Sequence, residues 1–160
     1  MWYYLSVILA LVLDQLSKAW ILEHFEKFDM REIIPGFFNF FYVTNTGAAF
    51  SFLADVDASW PHWFFLSISL VAVVVITFYN RFLRHHGGGM LTSIALGFIA
   101  GGALGNVIDR LRYGAVTDFL DFYYGSYHWP AFNLADSFIC VGAVLLIVLS
   151  FFNSGPREDN

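Results

Sequence analysis

The sequence predicts a mainly α-helical integral membrane protein, with four transmembrane helices and a small β-sheet in the first long loop. Three observations carry this. Of 160 residues, 58% are hydrophobic and only 13% charged, where a soluble domain carries about 25% charged residues. The mean hydropathy is +0.62, and four segments are long and apolar enough to cross a bilayer core, which takes about 20 residues per helix. The first long connection holds a run of aromatic and β-branched residues. A single domain over 1–160 is expected at this length.

The first span runs from about Trp2 to Leu22, interrupted by Asp14 and Lys18. It starts without Lys or Arg and ends in charge instead of a small-residue cleavage site, so it reads as a retained span, not a cleaved leader. The second covers about Trp60–Tyr79, the third about Met90–Ile108 and the fourth about Leu134–Phe152. In lipid, backbone hydrogen bonding leaves little besides helix for them. An even number of spans places the connections 23–59 and 109–133 on one side. Arg81, Arg84 and Arg157 fall on one side, and Lys18, Lys27, Arg31, Arg110 and Arg112 on or near the other, so cation counts do not fix the orientation. Within the first connection, Gly36–Thr44 reads as a strand, closed by the turn signal Asn45-Thr46-Gly47. The last residues, 153–160, read as a polar tail.

The formal net charge of −5 and the lack of a basic patch argue against nucleic acid as a partner. The single cysteine, Cys140, sets aside a disulfide framework or a Cys-rich metal site. None of the five histidines has H-E-x-x-H spacing, so a zinc peptidase is poorly supported. No metal and no cofactor are expected.

Ionisable residues inside spans cost about 2.5–3.5 kcal/mol each on insertion scales, so each needs a reason. Asp14 and Lys18 are four apart on one helical face and can pair, either as structure or as the wall of a site. Gly97, Gly101 and Gly105 allow close helix approach. Asn106 and Arg110 share a face, with Asp109 beside them; an interfacial charge cluster is the plain reading of Asp109 and Arg110. Asp118 lies in a loop between apolar residues. Asn133 and Asp136 stand where a helix N-cap and its third residue would be, a favourable position for a carboxylate.

Asp118 and Asp136 lie at the two ends of one connection, which is long enough to fold back and bring them together. Two carboxylates a few ångströms apart share one proton. The ionised member can then take a proton from water while the protonated one polarises a peptide carbonyl. Spacing permits this arrangement without requiring it.

Four blocks, in order, closely resemble lipoprotein signal peptidase (signal peptidase II), a family of aspartic membrane peptidases. They are Asp14-Gln-Leu-Ser-Lys18; Asn45-Thr-Gly-Ala-Ala-Phe-Ser-Phe52; Gly101-Gly-Ala-Leu-Gly-Asn-Val-Ile-Asp-Arg110 continuing to Val116-Thr-Asp118-Phe119; and Phe132-Asn-Leu-Ala-Asp136-Ser137. The resemblance implies four spans in the bacterial cytoplasmic (inner) membrane, both termini in the cytoplasm, and an extracytoplasmic β-cradle made by the first long loop. It implies a catalytic dyad of Asp118 and Asp136. Asp14, Lys18, Asn45, Gly47, Asn106, Asp109, Arg110 and Asn133 match positions that shape the site or hold substrate. The implied substrate is a diacylglyceryl-modified prolipoprotein, cut before its lipidated cysteine, and the implied inhibitor is the cyclic peptide globomycin. A monomer is expected.

Two other readings stay open on the residues alone. A small proton-relay or transporter subunit also uses intramembrane acids, but places them at mid-bilayer depth on several helices. A non-catalytic scaffold packing through the third span's glycines would leave both acids dispensable. A serine peptidase through Ser137 has no base obviously placed for it.

Overall fold

The structure is a computed structural model that describes residues 1–47 and 60–153. Four helices, α1 (Trp2–His24), α2 (Trp60–His85), α3 (Met90–Tyr113) and α4 (Leu134–Asn153), each exceed the length and apolarity needed to span a membrane. Exposed valines, leucines and isoleucines ring the bundle, among them Leu16, Val71, Val75, Val144 and Ile147. Apolar exposure on this scale means a lipid-facing surface. Cys140 is on that exposed surface too.

Helix α3 is the axis, packed against each of the other three. Its small residues make this possible. An added Cβ at Gly97 would stand 2.6 Å from the carbonyl oxygen of Tyr3, and one at Gly101 would stand 2.6 Å from that of Val7. Both contacts are with α1 backbone, which cannot swing aside, so the two helices touch at main-chain distance. Gly105 opposes the Asp14 carboxylate, and the stripe therefore sets the depth at which α1 presents its charges. The variant Gly101→Ala is expected to lose about 1–3 kcal/mol by overpacking; a lowered unfolding midpoint in detergent checks this.

The sheet has four antiparallel strands in the order β1 (Met30–Ile34), β2 (Phe38–Asn45), β3 (Val116–Tyr124) and β4 (Tyr127–His128). The architecture differs from expectation in three ways. Only β1 and β2 come from the first loop; the third-to-fourth-span connection supplies the other half. Asp118 consequently sits within a nine-residue strand, where Val116, Phe119, Phe122, Tyr123 and Tyr124 are strand formers, and not in a loop. Helix α3 runs on through Asp109 and Arg110 to Tyr113, so these two are helical as well. It stops at Gly114, whose φ of +74° is the left-handed C-cap that glycine adopts without strain.

Register joins the two loops. Val43 pairs with Asp118, Thr44 with Thr117 and Asn45 with Val116. Ile21, Phe25 and Phe119 form a buried cluster with Phe40, Tyr42 and Leu134 packed on it, fastening the sheet to the ends of α1 and α4. The edge strand β1 is short and carries Arg31 and Glu32, features that discourage edge pairing.

Candidate active site

Where sheet and bundle meet, charge is concentrated. The Lys18 ammonium lies 2.9 Å from Asp14 Oδ2 and 3.3 Å from Asp109 Oδ2, with all three side chains at most 2% exposed. The i, i+4 pair expected on α1 is thus extended to α3. The amide of Gln15 donates to Asp109 Oδ1 at 3.1 Å and to Asp14 Oδ2 at 3.3 Å. Backbone closes the cluster: Ala135 N–H donates to Asp14 Oδ1 (2.9 Å), and Thr117 N–H to Asp109 Oδ2 (2.9 Å). One ion cluster therefore anchors the first turn of α4 and the start of β3. Since Asp14 lies ten residues before the end of α1, about 15 Å at helical rise, α4 begins well below the top of α1.

Two asparagines link this cluster to the remaining acids. Asn106 Oδ1 accepts from Lys18 Nζ at 2.9 Å, while its Nδ2 donates to Asp136 Oδ1 at 2.8 Å. Asn133 is the N-cap anticipated for α4: its Oδ1 accepts from Asp136 N–H at 3.0 Å. Its Nδ2 donates to Asp118 Oδ1 at 2.7 Å and to Asn106 Oδ1 at 3.3 Å. Asp118 Oδ2 accepts from Asn45 Nδ2 at 3.1 Å. The Asp118 carboxyl is thus linked through Asn133 to the Asp136 main chain, and through Asn133 and Asn106 to the Asp136 carboxyl, with Asp118 on the sheet and Asp136 on the bundle.

The remaining expected residues close one side. Arg110 donates to the Gly47 carbonyl at 3.0 Å, and Gly47 N–H donates to Asn45 Oδ1 at 3.0 Å. All ten residues singled out from the sequence fall in this one network. The part of the second motif that follows Gly47, Ala48 to Phe52, lies outside the described residues. Ser137 Oγ donates to the Asn133 carbonyl at 2.9 Å, so its hydroxyl proton is engaged by its own helix.

The electrostatics are lopsided. Four carboxylates (Asp14, Asp109, Asp118, Asp136) meet two cations, Lys18 and Arg110. Asp118, 2% exposed, shows the consequence. Burial first, then repulsion from Asp136, pushes its carboxyl up to about 7, against the opposing pull of the Asn45 and Asn133 amides and Lys18. A carboxylic acid still protonated near neutrality beside a second carboxylate is suited to acid–base chemistry. Among the described residues, no group of three or more His, Cys, Asp or Glu side chains is placed to hold a metal ion.

Residues 6–152 match the family model for signal peptidase (SPase) II. The chain belongs to the signal peptidase II family. Among its relatives within the family, the lipoprotein signal peptidase of Shewanella sp. (strain MR-4) is 48% identical over 159 residues, covering 99% of this chain and 90% of that one. That of Serratia proteamaculans (strain 568) is 49% identical, covering 98% and 90%. A bacterial membrane enzyme solved by the in meso method at 2.3 Å superposes with a TM-score of 0.84 at 30% identity, covering 99% of this chain and 93% of that one. A second, at 1.9 Å, gives 0.78 at 28% identity, covering 99% and 94%.

Two features of this signal peptidase II chain went unread in the sequence. Gln15 stands inside the first motif, but its role shows only in the fold, where it bridges Asp14 and Asp109. Asp121, 2% exposed, accepts from Asn39 Nδ2 at 2.8 Å and pairs with His128 Nδ1 at 2.9 Å. Alternation on β3 could have flagged it, because Thr117, Phe119 and Asp121 share a face.

Proposed function

We propose that this chain is an aspartic endopeptidase of the bacterial cytoplasmic membrane that removes signal peptides from lipid-modified prolipoproteins. The cut falls just before the lipidated cysteine. Asp118 and Asp136 are its catalytic pair, held on the extracytoplasmic side together with the sheet. The observation that carries the reading is the buried Asp118 carboxyl, linked to the Asp136 carboxyl through Asn133 and Asn106 in turn.

The chemistry follows from one shared proton. Asp118 keeps it, being the more buried, and donates a hydrogen bond to the scissile carbonyl. Asp136, ionised, takes a proton from water as the water oxygen bonds to the carbonyl carbon. Collapse of the tetrahedral intermediate breaks the C–N bond, with the proton from Asp136 passing to the leaving amine. Asn45, Asn106 and Asn133 orient the two carboxyls; Lys18 of the ion cluster fixes Asn106, which in turn holds Asn133. Arg110 holds the Gly47 carbonyl at the rim. The substrate's acyl chains stay in lipid and deliver the scissile bond to a site sunk below the top of α1, an arrangement that exploits membrane partitioning at about 0.8 kcal/mol per buried CH2.

Cleavage of purified prolipoprotein, with and without the diacylglyceryl group, tests this. Only the lipidated form is expected to be cut, at the bond before the modified cysteine, and globomycin should block the reaction. Intact lipidated substrate, or equal cutting of the unlipidated form, would defeat the proposal.

A pH dependence follows as well. Asp118 carries its proton below about 7 and loses it above, leaving two ionised acids with no donor for the carbonyl. Hence kcat/KM should fall as pH rises through about 7, with unit slope in a log plot. A profile flat to pH 9 would show that the shared proton is not used.

A further inference from the structure

At the opposite end of the bundle from the sheet is a cavity of about 350 Å³, lined by Tyr4 of α1 and by Asn80, Arg81, Arg84 and His85 of α2. Arg81, Arg84 and His85 fall at i, i+3 and i+4, so they share a helical face. Among the described residues of this end, no carboxylate lies on α2, in the α2–α3 turn, at the start of α1 or α3, or at the end of α4. Neither arginine has a carboxylate partner among the described residues. A third observation concerns the wall. Asn80 is only 4% exposed, and its Oδ1, an acceptor open to a headgroup hydroxyl but not to a phosphate oxygen, has no hydrogen-bond partner among the described residues. Buried polar atoms are rarely left so.

Below the cations the surface turns apolar. Ile8 lies one turn deeper than Tyr4 on α1; Phe78 and Val74 lie one and two turns deeper than Arg81 on α2. All three are exposed. The two helices are tied at this level by the Tyr3 hydroxyl and Thr77 Oγ1, 2.7 Å apart. A polar cationic cavity above an apolar surface, at the end of membrane-crossing helices, has the layout of a phospholipid: phosphate above, acyl chains below.

We propose that this cavity binds the headgroup of a net anionic glycerophospholipid, with Arg81 and Arg84 on its phosphate and the acyl chains along α1 and α2. The C-terminus of α2 works against this, carrying about half a negative charge. Two full positive charges outweigh it. Free phosphate has the same chemistry, but lipid phosphates are concentrated at the depth where these helices leave the bilayer.

The full chain in phosphatidylcholine vesicles, with trace spin-labelled phosphatidylglycerol or spin-labelled phosphatidylcholine, gives the relative association of the two lipids from their motionally restricted fractions. Wild type should prefer phosphatidylglycerol. R81Q/R84Q should lower that preference by about fivefold per arginine removed, following the energy of one basic side chain at an anionic surface. R81K/R84K should retain most of it. No preference in wild type, equal preference in R81Q/R84Q, or an equal loss in the lysine variant overturns the site. Inorganic phosphate at matched ionic strength should leave the restricted fraction unchanged; if it displaces the labelled lipid, the ligand is a free anion and the lipid assignment falls. Prolipoprotein cleavage by R81Q/R84Q should match wild type, since both arginines lie at the far end from the acids, and this confirms that the variant is folded.

Discussion

Asp136→Asn is expected to lower cleavage of lipidated prolipoprotein by about 10³-fold or more, within the range attributed to a positioned general acid or base, while leaving the fold intact. The reason lies in its hydrogen bonds. Asp136 uses Oδ1 to accept from Asn106 Nδ2 at 2.8 Å, and an asparagine can do the same with its single oxygen. Helix α4 keeps its cap, because the contact from Asn133 is made to the backbone N–H of residue 136. Asp118→Asn should be as inactive but less benign. Both of its oxygens accept from amides, Asn133 at 2.7 Å and Asn45 at 3.1 Å. An asparagine there must turn an NH2 toward one of them, leaving a buried donor unpaired at about 1–3 kcal/mol. The decisive comparison is therefore Asp136→Asn: mass-spectrometric detection of cleavage at the wild-type rate, from protein with a wild-type unfolding midpoint, would remove Asp136 from the mechanism.

How much of this site could be read from the chain depended on the range of the interaction. Asp14 with Lys18, and Asn133 with Asp136, are contacts within one helical turn, and local spacing predicted both. The helices followed from length and apolarity, though α3 and α2 run further than expected because Asp109, Arg110 and Arg81–His85 continue the helical ladder past the apolar stretch. The sheet was half legible. Gly36–Thr44 advertised β2, but β3 is interrupted by Asp118 and Asp121, whose burial is affordable only because β2 brings Asn45 and Asn39 across to them. That pairing joins residues more than 70 positions apart, and no local pattern encodes it. The convergence of ten separated residues came from the family resemblance, since spacing allowed it without demanding it. Gln15 shows the remaining gap: an uncharged residue looks neutral in sequence until a second carboxylate, Asp109, arrives from another helix.

Lys18→Met should have the largest effect on stability. The methionine preserves the length and apolar stem of lysine, so packing changes little; what disappears is the ammonium. Lys18 is the only cation paired with Asp14 and Asp109 among the described residues, at 2.9 and 3.3 Å. Its removal leaves two carboxylates at 0% and 1% exposure facing each other through Gln15. Breaking a buried ion pair by deleting one partner costs about 3–5 kcal/mol, because the surviving charge cannot reach water. A comparable fall in unfolding free energy, read from the thermal midpoint in detergent, is expected. Cleavage should fall as well, because Asn106 Oδ1 loses the closer of its two donors, keeping only Asn133 Nδ2 at 3.3 Å, and the amide that holds Asp136 is less firmly oriented. The double variant Lys18→Met/Asp14→Asn separates charge from shape. Removing one orphaned carboxylate should recover part of the stability lost in Lys18→Met, whereas purely steric damage would add to it. If Lys18→Met unfolds at the wild-type temperature, the cluster is not what fastens α1, α3 and α4 around the two acids.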